Sequence, residues 1–409
     1  MTNRLEFFRQ QMASFEGTSD PQKAIEKGYY IEQPRNSLAN TIAAKIALRP
    51  TSRHLLIGGI GSGKTTQLLM TCDRLNEIED ISAHYVDVSL YTDISEIKPG
   101  SLLAITGLVL SKLRDDWEEI GLKDDINYID KYAYGSLESI SLETINNTQK
   151  QMEKISDKFG LKNKHFLQTE GLLNLNKESK KKYKNIHQKI QLIKSNLSKH
   201  KFIVLLFDGL DRFNDNESML KLIQADIELI SQLNLGIILV SPISLNYDNY
   251  QEALKQEFNN NVHYQPYFDI ENDENAHDFF DNILKLRSSE NFIQKSAREL
   301  LIAYSGGILR DLINLTQNSI EEAYFSDSDI LEESHVNSAI NSFSQTKIFG
   351  ISNPELEILE KVARGETFLP RSDEHIHLLI TQAILEYHYP KKRYAVHPAL
   401  LPLIQKTLA

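Results

Sequence analysis

Apolar residues in this chain gather into short unbroken runs separated by stretches of helical period. These runs stand at 54–57, 202–207 and 236–240, with strand-like stretches that include polar residues at 83–88 and 262–267. Such runs, closed by turn residues, are expected of strands buried on both faces of a parallel sheet. Helices are predicted between them at 36–48, from about 65 to 78, and at 101–117. Strand and helix in alternation predict an α/β doubly wound sheet. Between 115 and 200 no strand partner is evident. Within that span Ile186, Ile190, Ile193 and Leu197 recur at steps of four, three and four, one apolar stripe of a helix.

From 272 onward strands give way to helices, predicted at 274–286, 293–304, 308–323 and 333–343, a lid-like unit. The last sixty residues change again: helices at 354–363 and 372–383, strand pieces at 384–387 and 393–396, and a closing helix at 398–407. Helices followed by a β-hairpin predict a winged-helix unit. The expected organisation is a lead-in over 1–50, a core over 51–270 with an insertion at about 115–200, a lid over 271–348 and a winged helix over 349–409.

Composition narrows the class. The 409 residues allow two to three domains. A net charge of −11 argues against indiscriminate binding along nucleic acid, although local basic patches survive the average. One such patch is the run of nine lysines at 177, 180, 181, 182, 184, 189, 194, 199 and 201. It reads as a solvated helical hairpin, or as a docking surface for an acidic partner or nucleic acid. Cys72 is the single cysteine, which excludes an intrachain disulfide and suits a reducing compartment. The apolar runs are too short to span a bilayer, and residues 1–6 lack the apolar core of a secretory signal. A cytoplasmic protein with no membrane association is expected.

The chemistry begins after the first run, at Gly58-Gly59-Ile60-Gly61-Ser62-Gly63-Lys64-Thr65, a match to the phosphate-binding pattern G-x-x-x-x-G-K-[ST]. Glycines let successive N–H groups turn toward an anion, and the following helix points its N-terminus at it. Lys64 is expected to reach the β- and γ-phosphates, and the Thr65 hydroxyl to ligate Mg²⁺, with Thr66 beside them. The alternative is a glycine-rich turn between strand and helix. The run 202–207 ends in Asp208, an acid at the carboxyl edge of the sheet where Mg²⁺ needs a carboxylate.

On these residues the chain resembles the AAA+ and STAND branches of P-loop ATPases over roughly 25–345. The resemblance implies ATP and Mg²⁺ as ligands. Gly209 after the first acid and Asp211 three positions on resemble the NACHT group, which implies Asp211 as the water-positioning acid. The other reading of Asp211 is a turn or helix-cap residue. Ser241, ending the run 236–240, falls where the family senses the γ-phosphate, and is also an ordinary strand-end serine. Ser305-Gly306-Gly307-Ile308-Leu309-Arg310-Asp311 resembles the lid motif of origin-recognition-type proteins. It implies Arg310 as a γ-phosphate sensor, against a salt bridge to an acid on its own helix. Tyr29, Tyr30 and Ile31 fall where relatives contact adenine, and core packing explains them as well.

The stretch 253–259, where ring-forming relatives present an arginine finger, has none; Lys255 and Arg212 are the substitutes available. Tyr394-Ala395-Val396-His397-Pro398 resembles the hairpin end of STAND-type winged helices. The basic tip Lys391-Lys392-Arg393 is compatible with a DNA backbone contact or with an internal or partner-facing role. The resemblance implies a slow or partner-activated ATPase switch in a homo-oligomer or hetero-complex. Its effector or sensor is expected on a separate polypeptide, with bacterial regulation or antiphage defence as the setting. The alternative implied is a DNA-associated ATPase of replication-initiator or transposition-regulator type.

Overall fold

The computed structural model describes residues 2–16, 21–35, 37–134, 180–197, 201–213, 215–247 and 250–408. The five predicted stretches form one sheet of strands β1 (Arg53–Gly58), β2 (Ile81–Asp87), β3 (Phe202–Asp208), β4 (Gly236–Ser241) and β5 (Val262–Gln265). All its pairings are parallel, in the order β2-β3-β4-β1-β5. Helices cover both faces, which is why β4 is buried along its whole length and could not alternate apolar with polar. The α/β parallel-sheet fold with a helical lid and a winged C-terminal unit is therefore what the chain adopts.

One face of the sheet packs against the helices Leu38–Leu48 and Lys64–Asn76 through Ile42, Leu68 and Leu75. The other packs against Ser101–Ser111 and Asn216–Ser231. Here the carboxylate of Asp226 is fully buried and accepts N–H bonds from Gly100 (2.6 Å), Leu102 (2.8 Å) and Leu103 (3.3 Å), tying one helix start to its neighbour. The helix expected over 101–117 stops at Ser111. Trp117 folds back, and its indole N–H donates to the Ser111 carbonyl at 2.6 Å, so its burial needs no continued helix. A separate helix, Lys123–Tyr134, follows. Ile186, Ile190 and Ile193 of the stripe are buried as their spacing demands on a helix spanning Lys180–Ser195, and Leu197 is buried just beyond its end. Residues 135–179 and 198–200 of the insertion, including Lys177 and Lys199, lie outside the described residues.

The lid comprises Glu274–Arg287, Lys295–Tyr304, Leu309–Phe325 and Glu333–Ile348. Its core takes in Phe8 and Phe15 from the first helix, Thr2–Phe15. Arg4 binds that helix to the lid by donating to the carbonyls of Ala323, Tyr324 and Ser328, at and just beyond a helix C-terminus where acceptors are otherwise unfilled. In the winged unit the hairpin strands β6 (Ile384–Tyr387) and β7 (Arg393–Val396) pair antiparallel, at the positions the pattern predicts.

Candidate functional site

β1 lies between β4 and β5, so the loop leaving it emerges at the carboxyl edge of the sheet with a strand end on either side. Ile57 pairs in register with Ser241 and Gly58 with Gln265. Gly63 sits at φ 97°, in the left-handed region, and directly precedes the helix Lys64–Asn76. At Gly59 the requirement is space: a Cβ there would stand 1.8 Å from the Tyr267 hydroxyl oxygen.

Lys64 is buried, and its Nζ donates to the carbonyls of Gly58 (2.9 Å) and Gly59 (2.8 Å) and pairs with Asp211 Oδ2 at 2.9 Å. Asp208, on β3, accepts hydrogen bonds from Thr65, from the Gly209 N–H at 2.8 Å and from the Tyr85 hydroxyl at 2.9 Å. Burial, then the nearby Asp211 charge, pushes the Asp208 carboxyl above its ordinary range. Burial also acts to raise Asp211, but Lys64, and behind it Arg212 and Arg310, hold it below that range. Two acids three residues apart are thus driven in opposite directions, as acid and base pairs in one site commonly are.

A cavity opens in front of these groups. Its polar end is lined by Gly61, Gly63, Lys64, Thr65, Thr66, Asp211 and Arg310. Its other end is apolar and aromatic, with Tyr29, Tyr30 and Ile31 facing Phe279, Ile283 and Ile313 of the lid. Tyr30 and Ile31 therefore line a cavity that Lys64, Asp211 and Arg310 share. Gly58, Gly59, Ile60, Ser62, Asp208 and Ser241 are not among its lining residues. Ser241 is fully buried, and its Oγ, like those of Ser62 and the Gln265 Oε1, has no hydrogen-bond partner among the described residues. Buried polar atoms without partners are costly and concentrate at functional sites.

Lid and winged unit both touch the loop. A Cβ at Gly61 would meet Arg310 Cβ at 2.8 Å and Ile308 Cγ2 at 2.9 Å, so only glycine admits the lid helix this close. Asp311, the acid next to Arg310, does not pair with it. It binds Lys347 at 2.8 Å and His397 at 3.2 Å instead. The Ile60 carbonyl accepts from the Tyr267 hydroxyl at 3.2 Å and from the Gln382 amide of the winged unit. Gln382 itself accepts from Lys347 at 3.2 Å. Tyr85, Tyr267 and Gln382 escape a sequence reading because no local pattern says which loop each meets.

At the basic wing tip Lys391 and Lys392 are exposed, while Arg393 and Lys392 are engaged by acids of the chain. Arg393 binds Asp269 through two 2.6 Å bonds and Glu271 at 2.8 Å, and Lys392 pairs with Glu386 at 2.7 Å. Glu386 is fully buried and also takes hydrogen bonds from Tyr264 (2.6 Å), Tyr247 and His388 (3.0 Å). Of the lysine run, Lys189 pairs with Asp125. His397 is buried, and burial followed by Lys347 brings its pKa down to about 4, so it packs as a neutral ring.

No protein-family model matches the chain, and no curated protein does. Among solved structures the chain is similar to Cdc6p from Pyrobaculum aerophilum (11% identity, TM-score 0.42, covering 93% of this chain and 97% of that one). It is similar to the Aeropyrum pernix ORC1 protein in complex with DNA (11% identity, TM-score 0.46, 92% and 93% covered). A Walker-type ATPase of Pyrococcus abyssi is a third (13% identity, TM-score 0.45, 92% and 99% covered). No helix among the described residues is long and apolar enough to cross a membrane.

Proposed function

We propose that this chain is an ATP-binding, Mg²⁺-dependent ATPase of AAA+ type whose nucleotide state sets the placing of its lid and winged unit. The observation that carries the reading is convergence on one loop. Arg310 packs on Gly61 and lines the cavity beside Lys64, while Gln382 binds the next carbonyl back, that of Ile60. A ligand that reshapes the loop must therefore be felt by both units.

The residues present fit the ligands. The loop bends where glycine alone is tolerated, the following helix offers its N-terminus, and Lys64 and Arg310 supply positive charge. Thr65 and Asp208, already hydrogen-bonded to each other, offer the hard oxygen donors that Mg²⁺ takes together with phosphate and water. Bound there, Mg²⁺ would neutralise phosphate charge. In this reading Lys64 exchanges Asp211 for phosphate, and the released Asp211 orients the attacking water. Arg310 carries the presence of the γ-phosphate to the lid, and Ser241 serves beside it. The output is an altered surface for a separate partner in a multi-protein regulatory or defence complex.

A second reading, a DNA-associated ATPase, is favoured by the winged unit and by the DNA named with the Aeropyrum pernix protein. Against it stand the pairing of Lys392 and Arg393 with acids of the chain itself and the acidic first turn Asp373-Glu374 of the helix Asp373–Ile380. ATP turnover should be measured for wild type, Lys64→Ala and Asp208→Asn, with solution scattering in ADP and in a non-hydrolysable analogue. Turnover lost in both variants and a nucleotide-dependent change of shape are expected; a shape indifferent to nucleotide would sink the switch. Tight ATP-dependent duplex binding with a steep salt slope would favour the second reading.

A further inference from the structure

The apolar end of the cavity holds one charged side chain. Arg287 closes the lid helix Glu274–Arg287, four residues beyond Ile283 and eight beyond Phe279, on the stripe that lines the cavity. Its guanidinium stands over the Tyr29 ring, 5.0 Å from the centroid. Among the described residues its one hydrogen bond runs from Nη1 to the Ser14 carbonyl at 3.1 Å, and its Nε is buried without a partner. A guanidinium remains charged in such surroundings and has five N–H donors but no acceptor. Burying its Nε against aromatic and aliphatic walls without an acceptor is costly unless a ligand brings one.

We propose that Arg287 is the residue that selects the nucleobase, donating to the acceptor edge of a purine seated between Tyr29–Ile31 and the lid. This rests on the reading of the cavity as a nucleoside triphosphate site. The chemistry restricts the base. A group that only donates binds ring nitrogens and keto oxygens and gains nothing from an exocyclic amine. The phosphate end is fixed by Lys64 and the loop, so the base must span to the far wall, which the two-ring purines do better than pyrimidines. The stacking on Tyr29 holds the guanidinium plane in place before the base arrives, which limits the ordering cost of binding.

The test is affinity, measured by calorimetry with Mg²⁺, for ATP, GTP, CTP, UTP and inorganic tripolyphosphate. Wild type should favour purines over pyrimidines by about tenfold or more, and Arg287→Ala should bring the four bases within about threefold of one another. Tripolyphosphate affinity should be unchanged in that variant, which separates a base contact from general damage. Arg287→Lys, which keeps charge but not the planar fork, should lose most of the preference too and serves if the alanine variant folds poorly. Purine preference intact in both variants would overturn the assignment to Arg287. Failure of wild type to bind any triphosphate, or binding untouched by Lys64→Ala, would instead overturn the nucleotide site itself.

Discussion

Lys64 Nζ lies 2.9 Å from Asp211 Oδ2 while donating to the carbonyls of Gly58 and Gly59. An ammonium has three donors, and these three bonds use them all. An incoming phosphate must therefore displace one, and the acid is the partner whose loss leaves a charge behind.

Asp211→Asn weakens the competitor. Nucleotide binding is expected to tighten by about threefold, because the phosphate no longer contends with a carboxylate for the lysine. Turnover should fall by about a hundredfold or more if the same acid orients the water, as proposed above. Stopped-flow binding and steady-state phosphate release measure the two separately. Turnover at the wild-type rate would remove Asp211 from the chemistry.

Tyr85 is the second lever. Its hydroxyl donates to Asp208 Oδ2, and burial, followed by the Asp208 charge, pushes the phenol far above its ordinary pKa, so it stays a donor. Tyr85→Phe removes one tether of the carboxylate and keeps the ring. Affinity for Mn²⁺ in the presence of nucleotide should drop about threefold to tenfold, with metal-free nucleotide affinity unchanged. Equal metal affinity in mutant and wild type, by paramagnetic titration, would show that the tether does not orient the acid.

Glu386 fastens the winged unit to the core. It is fully buried, and Lys392, His388 and tyrosines from two other segments satisfy it. Glu386→Ala leaves these partners facing a void, a loss of about 3–5 kcal/mol for a broken buried pair. Hydrogen exchange should quicken at 384–396 with little change in β1–β4. Uniform quickening would mean that winged unit and core unfold together.

Acid should act through buried histidines. His54 Nδ1 and His263 Nε2 lie 3.0 Å apart between β1 and β5. Burial, then the neighbouring ring and Lys45, lowers His54 to about 3, and burial followed by Lys45 lowers His263 to about 4. With the folded values below the ordinary 6.5, the unfolded chain binds more protons between them, so stability falls as pH drops from about 6.5 toward 4. The midpoint of thermal unfolding should drop across that window, and less steeply in a His54→Gln/His263→Gln variant. Identical slopes would assign the acid sensitivity to other groups.

The central strands β3 and β4 were legible because they are continuous apolar runs, a signal that needs no partner to be read. The loop and Asp208 were legible because their chemistry is local: glycines before a lysine, an acid after a strand. Arg310 was singled out on its motif, but that Asp311 turns away from it depends on Lys347 and His397, which no helix period foretells. The wing shows the same limit. Lys391-Lys392-Arg393 looks like a patch for phosphates until Asp269, 124 residues earlier, closes on Arg393. The helix expected over 101–117 ends at Ser111, and Trp117 is buried by folding back onto that residue's carbonyl, an outcome the sequence pattern does not separate from a continued helix.

A carbonyl oxygen has two lone pairs, and at Ile60 both are spoken for, one by Tyr267 and one by Gln382. The two donors also touch each other, Gln382 Nε2 lying 3.3 Å from the Tyr267 hydroxyl oxygen, so loop, strand end and winged unit close a triangle of hydrogen bonds. A rotation of the 60–61 peptide that carried the oxygen away would cost both bonds at once, which couples the loop directly to a residue 322 positions away in sequence.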